Sequence, residues 1–307
     1  MCNFFSAVFS RSGEMYYDPT LDSHEEIISV YRMRDAAFSH ICRCELIPPF
    51  PVEEISDNKP DLGFADWVRL ANWHFSIDEA RTPDWVDEEM EQKMREKMEG
   101  AVRKMFVTKR EAILSGGRFI VFPNVIVERL RGNVMVNAGM IQTLHGSCET
   151  NIGSIEYLEG GRIAWNYGDV SSVEGDIGSN YGTISGHQQG TLGANYGTIS
   201  YTGPESVTRR NWGTIERMHG LVYRNAGHIP WMRGTVLENT TDGTVQEKNG
   251  ESGVVVENNG TVVRKFGELK VYVNNGRIIQ RCHKCNAEFP EVEGVRYCDE
   301  CANEGRQ

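Results

Sequence analysis

Between residues 133 and 280 the chain repeats one short phrase, Asn-x-Gly-x-(Ile/Val/Leu), and this repetition limits the possible folds more than any other feature. Copies begin at Asn137 (NAGMI), Asn151 (NIGSI), Asn166 (NYGDV), Asn180 and Asn195 (both NYGTI), Asn211 (NWGTI), Asn225 (NAGHI), Asn258 (NNGTV) and Asn274 (NNGRI). Shorter copies without the asparagine lie between them: GGRI at 160, QGTL at 189, HGLV at 219, RGTV at 233 and DGTV at 242. Glycines recur about every seven residues and the Asn-bearing copies about every 14 to 16.

A unit this short cannot bury its own aliphatic residue. Stacking successive units in register is the way such a sequence builds a continuous core. The expected fold is therefore a β-solenoid, a parallel β-helix or β-roll of about 14–16 residues per coil. Gly is expected to supply positive φ at each corner, with Asn tolerating the same region. Nine or ten coils at the usual strand spacing would make a rod of roughly 45 Å. In register, Asn151, Asn166, Asn180, Asn195, Asn211 and Asn225 form an amide ladder like those of cross-β assemblies. One residue later, Tyr167, Tyr181, Tyr196 and Trp212 form an aromatic column. It is either a stacking platform for a sugar chain or partner, or rings packed on one another at a corner; the second is the simpler expectation.

The flanking segments follow different rules. Residues 1–78 predict a small α+β domain: a hairpin over Asn3–Tyr17, a helix begun by the capping-box pair Ser23 and Glu26, a strand over His40–Leu46, and a short helix near Trp67. Residues 79–132 predict a connecting helix and lead-in strands. Thr82 is placed as N-cap with Pro83 at the first helical position, and Val86, Met90, Met94, Met98, Val102 and Met105 form an apolar stripe against a neighbouring core. Both ends of a solenoid expose an unpaired edge, and the flanking modules stand where caps are needed.

Residues 281–307 contain CHKCNAEFPEVEGVRYCDEC, in which Cys282, Cys285, Cys298 and Cys301 have the C-x2-C-x12-C-x2-C spacing of a tetrahedral Zn²⁺ site. The segment resembles a zinc ribbon, which implies one structural zinc ion and no open coordination position. The other four cysteines have no framework spacing, which points to a reducing compartment. Net charge is −11, which disfavours nucleic acid and anionic membrane as partners of the whole molecule. The opening MCNFFSAVFS lacks a basic segment ahead of an apolar core, and the sequence contains no run of eighteen apolar residues. A cytoplasmic protein that is not exported is expected.

Candidate chemistry is sparse. Removal of Met1 would leave Cys2 with a free amine and a thiol, the arrangement of N-terminal-nucleophile hydrolases. Asp22 with His24 resembles an acid–base pair, although the capping box accounts for the segment. His40, Cys42 and Cys44 alternate along one strand face; a buried strand face is the expectation over a metal site. His145, Cys148 and His187 have no site-like spacing. Arg210, Arg217 and Arg224, seven apart, are expected on alternating faces and form a basic band able to hold phosphate or an acidic partner surface. No phosphate-binding loop, dinucleotide fingerprint, nucleophile elbow or zinc-protease helix motif occurs.

The NxGxI rhythm resembles the GLUG-type repeats of adhesin-like proteins. The opening MCNFFSAVFSRSGEMYYD, the LDSHEEII segment with RTPDWVDEE downstream, and the repeat-rich β half together resemble a group of phage- or prophage-encoded proteins. That resemblance implies a phage or bacterial origin and no particular reaction. The reading that results is a non-enzymatic binding or scaffold protein that presents a repeated surface to a protein partner in the host cytoplasm. Two alternatives are a hydrolase or amidotransferase using Cys2, and a virion fibre that assembles as a homo-oligomer.

Overall fold

Each Asn-x-Gly phrase closes one coil and opens the next. The structure, a computed structural model, describes residues 5–21, 23–33, 40–49, 64, 68–78, 82–247, 253–264, 269–281 and 288–289. From residue 106 to 280 the chain winds into a parallel β-solenoid of about 11 turns. The stack opens with the two-residue strand β5 (Phe106–Val107), and the coils that follow are single bent strands: β6 (Glu111–Val121), β7 (Ile126–Asn137), β8 (Met140–Asn151), β9 (Ser154–Asn166), β10 (Asp169–Asn180), β11 (Thr183–Asn195) and β12 (Thr198–Asn211). Beyond Asn211 each coil divides into two short strands, from β13 (Thr214–Met218) and β14 (Leu221–Asn225) through to β21 (Arg277–Arg281). A final strand, β22 (Glu288–Phe289), pairs antiparallel with the end of β21.

The core is three columns of side chains running along the axis. Ile141, Ile155, Val170, Ile184, Ile199 and Ile215 follow the turns in register. Leu130, Leu144, Leu158 and Val173 form a second column, and Val134, Cys148, Ile163, Ile177 and Leu192 a third. All are buried. Cys148 is thus a core thiol whose burial pushes its pKa well up. Where the two long edges of a coil meet opposite the Asn turns, glycines such as Gly161 and Gly190 take positive φ, and the register shifts close by.

Two expectations change. The stack begins at Phe106, well before the first Asn-x-Gly copy. Its early coils keep the aliphatic columns but turn through Phe122-Pro123-Asn124-Val125, with Asn124 at φ 63°, so the repeated phrase is missing where the repeated structure is present. The Asn-x-Gly glycines are also not there for positive φ, since none of them adopts it. A Cβ at Gly182 would be driven into the carbonyl oxygen of Gly168, and one at Gly197 into that of Gly182. Glycine is required by the close approach of successive coils.

The amino-terminal residues form a four-stranded antiparallel sheet, ordered β2-β1-β3-β4, from β1 (Phe5–Ser10), β2 (Met15–Tyr16), β3 (Ile41–Ile47) and β4 (His74–Ile77). Helix α1 (His24–Val30) starts where the capping box predicts, but the Ser23 side chain makes no cap bond. Helix α2 (Glu88–Arg103) begins later than expected. Its N-cap is Asp87, whose carboxylate accepts from the Met90 amide at 2.8 Å. Thr82 instead bonds the Asp78 carbonyl, and Val86 N–H closes a turn on Pro83. The methionine stripe is a core face: Met94, Met98, Val102 and Met105 pack with Phe5, Phe9 and Trp73, and with Ile120, Met135 and Val136 of the first coils. The predicted helix around Trp67 lies mostly outside the described residues; Leu70–Asn72 form a 3-10 turn.

Candidate binding face of the solenoid

The asparagines set the site. Ten of them, Asn137, Asn151, Asn166, Asn180, Asn195, Asn211, Asn225, Asn239, Asn258 and Asn274, are joined by nine amide–amide hydrogen bonds of 2.7–2.8 Å. In each bond Nδ2 of one coil donates to Oδ1 of the next. The second Nδ2 proton of residues such as Asn180 and Asn195 goes to the carbonyl of the turn glycine two residues on, at 3.2 Å. From Asn137 to Asn195 the Asn backbone carbonyl accepts from both turn amides of the following coil, and from Asn211 to Asn258 from the first of them. The ladder exceeds the six residues expected. Asn239 had been hidden because its turn runs through Thr240-Thr241-Asp242 before Gly243.

Locking each Asn fixes the residue after it. Tyr167 and Tyr181 stack at 5.0 Å between ring centroids, Tyr181 and Tyr196 at 4.8 Å, and Tyr196 and Trp212 at 4.9 Å, all within 11° of parallel. These spacings are the strand-to-strand repeat itself. The same position is Ile152 one coil before the column and Ala226 one coil after it. Tyr196 stacks on Trp212, and the Arg210 guanidinium also lies over the indole, 5.2 Å from the ring centroid. The column therefore packs face to face, and what it shows to solvent is a row of ring edges and phenol hydroxyls. Tyr196 and Trp212 are the most exposed members. Burial and the neighbouring tyrosines push the Tyr181 pKa up to about 12, and burial raises that of Tyr167, so both are neutral phenols at ordinary pH.

The three arginines separate as alternation requires. Arg210 and Arg224 are register partners on adjacent coils, next to the aromatic column. Arg224 also contacts Glu238 at 3.4 Å. Arg217 pairs in register with Tyr201 on the other strand line and stacks on Trp231 at 4.9 Å. With His219 it belongs to a second, tilted aromatic group of Tyr201, His219 and Trp231. The sequence reading missed this group because its members follow no fixed offset from the Asn ladder.

Of the other candidates, His24 is held by the Cys44 carbonyl at 3.0 Å, with the Glu45 carboxylate at 3.9 Å. His145 faces Glu159 at 3.1 Å on the solenoid surface. His187 is fully buried in the second core column, between Val173 and Thr202. Neither of its ring nitrogens makes a well-formed hydrogen bond. Cys2, Asp22 and the ribbon cysteines Cys282, Cys285, Cys298 and Cys301 lie outside the described residues. Among the described residues no group of three or more His, Cys, Asp or Glu side chains is placed to hold a metal, and no helix is long and apolar enough to cross a membrane. Comparison with protein-family models, with curated proteins and with solved structures finds no match to this chain.

Proposed function

We propose that the chain is a non-enzymatic binding scaffold whose solenoid presents one repeated lateral face to a protein partner. The observation that carries this reading is the Tyr167–Tyr181–Tyr196–Trp212 column, held at the coil spacing and ending beside Arg210 and Arg224. Ring edges and hydroxyls in a fixed row form a pre-ordered contact surface, so little side-chain entropy is lost on docking. The adjacent arginines suit a partner surface bearing carboxylates. Tyr, Trp and Arg are also the residue types that dominate interface energetics.

In this reading the protein is phage-encoded and acts as an accessory or host-interaction factor in the host cytoplasm. The Cys282, Cys285, Cys298 and Cys301 set holds one structural zinc ion in a cap. The test is affinity capture from host lysate with the intact chain and with the triple variant Tyr181→Ala, Tyr196→Ala, Trp212→Ala. A partner must then be rebound as a purified protein. Loss of that binding with an unchanged far-ultraviolet spectrum supports the reading, and equal binding overturns it. A heat- and detergent-resistant trimer in native mass spectrometry would replace it with the fibre alternative.

A further inference from the structure

The amino-terminal sheet buries a cluster of sulfur atoms that the scaffold reading does not use. Cys42 and Cys44 are two residues apart on β3, so both side chains leave the same face of the strand. Both are fully buried. Their Sγ atoms are 3.7 Å apart, and Cys44 Sγ is 3.7 Å from Sδ of Met94, which helix α2 lays across the sheet. Met94 is itself 1% exposed. His40, just ahead of the strand, is exposed and stands apart from the group. What remains is two thiols and a thioether in a dry site. On the strand's other face, Arg43 is anchored by Glu25 at 2.7 Å, which fixes the orientation of the cysteine pair.

We propose that Cys42, Cys44 and Met94 form a binding site for a soft monovalent metal ion, copper(I). Sulfur ligands sharing one ion through bonds of about 2.3 Å stand roughly 3.8–4.0 Å apart, close to the separations already present. Thiolate and thioether ligands select copper(I), whereas calcium and magnesium require oxygen. Structural zinc takes four ligands, and the described residues offer three here. Loading replaces two S–H bonds by two Cu–S bonds and releases two protons. Met94 adds a lone pair and no electron is transferred. The two thiolates and the ion carry a net charge of −1. Because two protons leave for each ion bound, loading strengthens as pH rises.

The test uses the full-length protein, reduced and anaerobic, titrated with copper(I) against a chromophoric chelator. Cysteines elsewhere in the chain also bind copper, so the readout is a difference between variants. Cys42→Ser and Cys44→Ser should each bind one ion fewer than the wild type. Met94→Leu, which conserves volume, should keep the stoichiometry and weaken this site by about tenfold or more. If the cysteine variants do not fold, alkylation of the wild type in mild denaturant, mapped by peptide mass spectrometry, decides the matter. Copper(I) should slow labelling of Cys42 and Cys44 and leave the core thiol Cys148 unchanged. Equal stoichiometry and affinity in all folded variants, or protection of Cys42 and Cys44 no greater than that of Cys148, would overturn the proposal. Neither result bears on the aromatic face.

Discussion

Tyr181 and Tyr196 lie face to face, 4.8 Å between ring centroids and 3° from parallel, because Asn180 and Asn195, one residue before each, are joined amide to amide at 2.8 Å. The buried ladder sets the register and the exposed rings report it. A lesion in the ladder should therefore be visible in the rings.

Replacing Asn195 by Ala removes the acceptor of Asn180 and the donor to Asn211. Leaving buried polar groups unpaired costs about 1–3 kcal/mol each, so Asn195→Ala should lose at least about 2 kcal/mol. Asn274→Ala, at the exposed end of the ladder, should lose under about 1 kcal/mol. Urea denaturation of the two variants checks the difference, and near-ultraviolet circular dichroism of Asn195→Ala should show a weakened Tyr–Trp band.

Two glycines should respond in opposite directions. Gly182→Ala forces a methyl group into the Gly168 carbonyl and should destabilise the protein severely, by more than about 3 kcal/mol, as overpacking against backbone does. Gly100, inside α2, has nothing within 4 Å of a built Cβ. Gly100→Ala should stabilise the protein by about 0.5–1 kcal/mol. Paired thermal melts test both.

His187 should make the solenoid acid-sensitive. Burial lowers its pKa, outweighing the Gly175 backbone and the Asp176 carboxylate, which raise it. The unfolded chain therefore takes up a proton at higher pH than the folded one. The stability due to neutral His187 is full above about pH 6.5, the unfolded value, and is lost as pH falls towards the lower folded pKa. His187→Leu, between Val173 and Thr202 in the second core column, should flatten stability against pH in that window. An unchanged pH profile would refute the assignment.

Tyr181 should oppose this at the alkaline end. Its folded pKa of about 12 lies above the unfolded value near 10. Its contribution is therefore complete below about pH 10 and declines as pH rises through about 12. Phenolate absorbance should show late-titrating groups, Tyr157 among them, and Tyr181→Phe should remove one of them.

What the sequence disclosed follows from where the repeat is strict. Asn-x-Gly copies are strict because three demands meet there: an amide that donates and accepts along the axis, a glycine that tolerates the preceding coil, and an aliphatic residue for the first column. The ladder, the column at Tyr167–Trp212 and the coil length were therefore legible. Coils β5–β7 were not, because Phe122-Pro123-Asn124-Val125 turns the chain without the phrase. The group of Tyr201, His219 and Trp231 was not legible either, since its members meet only after longer turns intervene. The start of α2 was misjudged because Thr82-Pro83 and Asp87 both read as helix openings, and only the second has a free amide within its reach. The sulfur cluster needed Met94 to be placed from another element, which strand alternation cannot do.

The ladder also has a direction. Every amide from Asn137 to Asn258 donates towards the carboxyl-terminal coil and none the other way, which leaves the Asn137 oxygen as an acceptor with no partner among the described residues. The aligned side-chain dipoles add along the axis. Each finished coil thus offers a free donor to the coil that follows it in the chain, which is the order in which a ribosome delivers them. Growth can proceed one coil at a time behind synthesis, with the amino-terminal sheet and α2 as the first template and each coil selecting the register of the next.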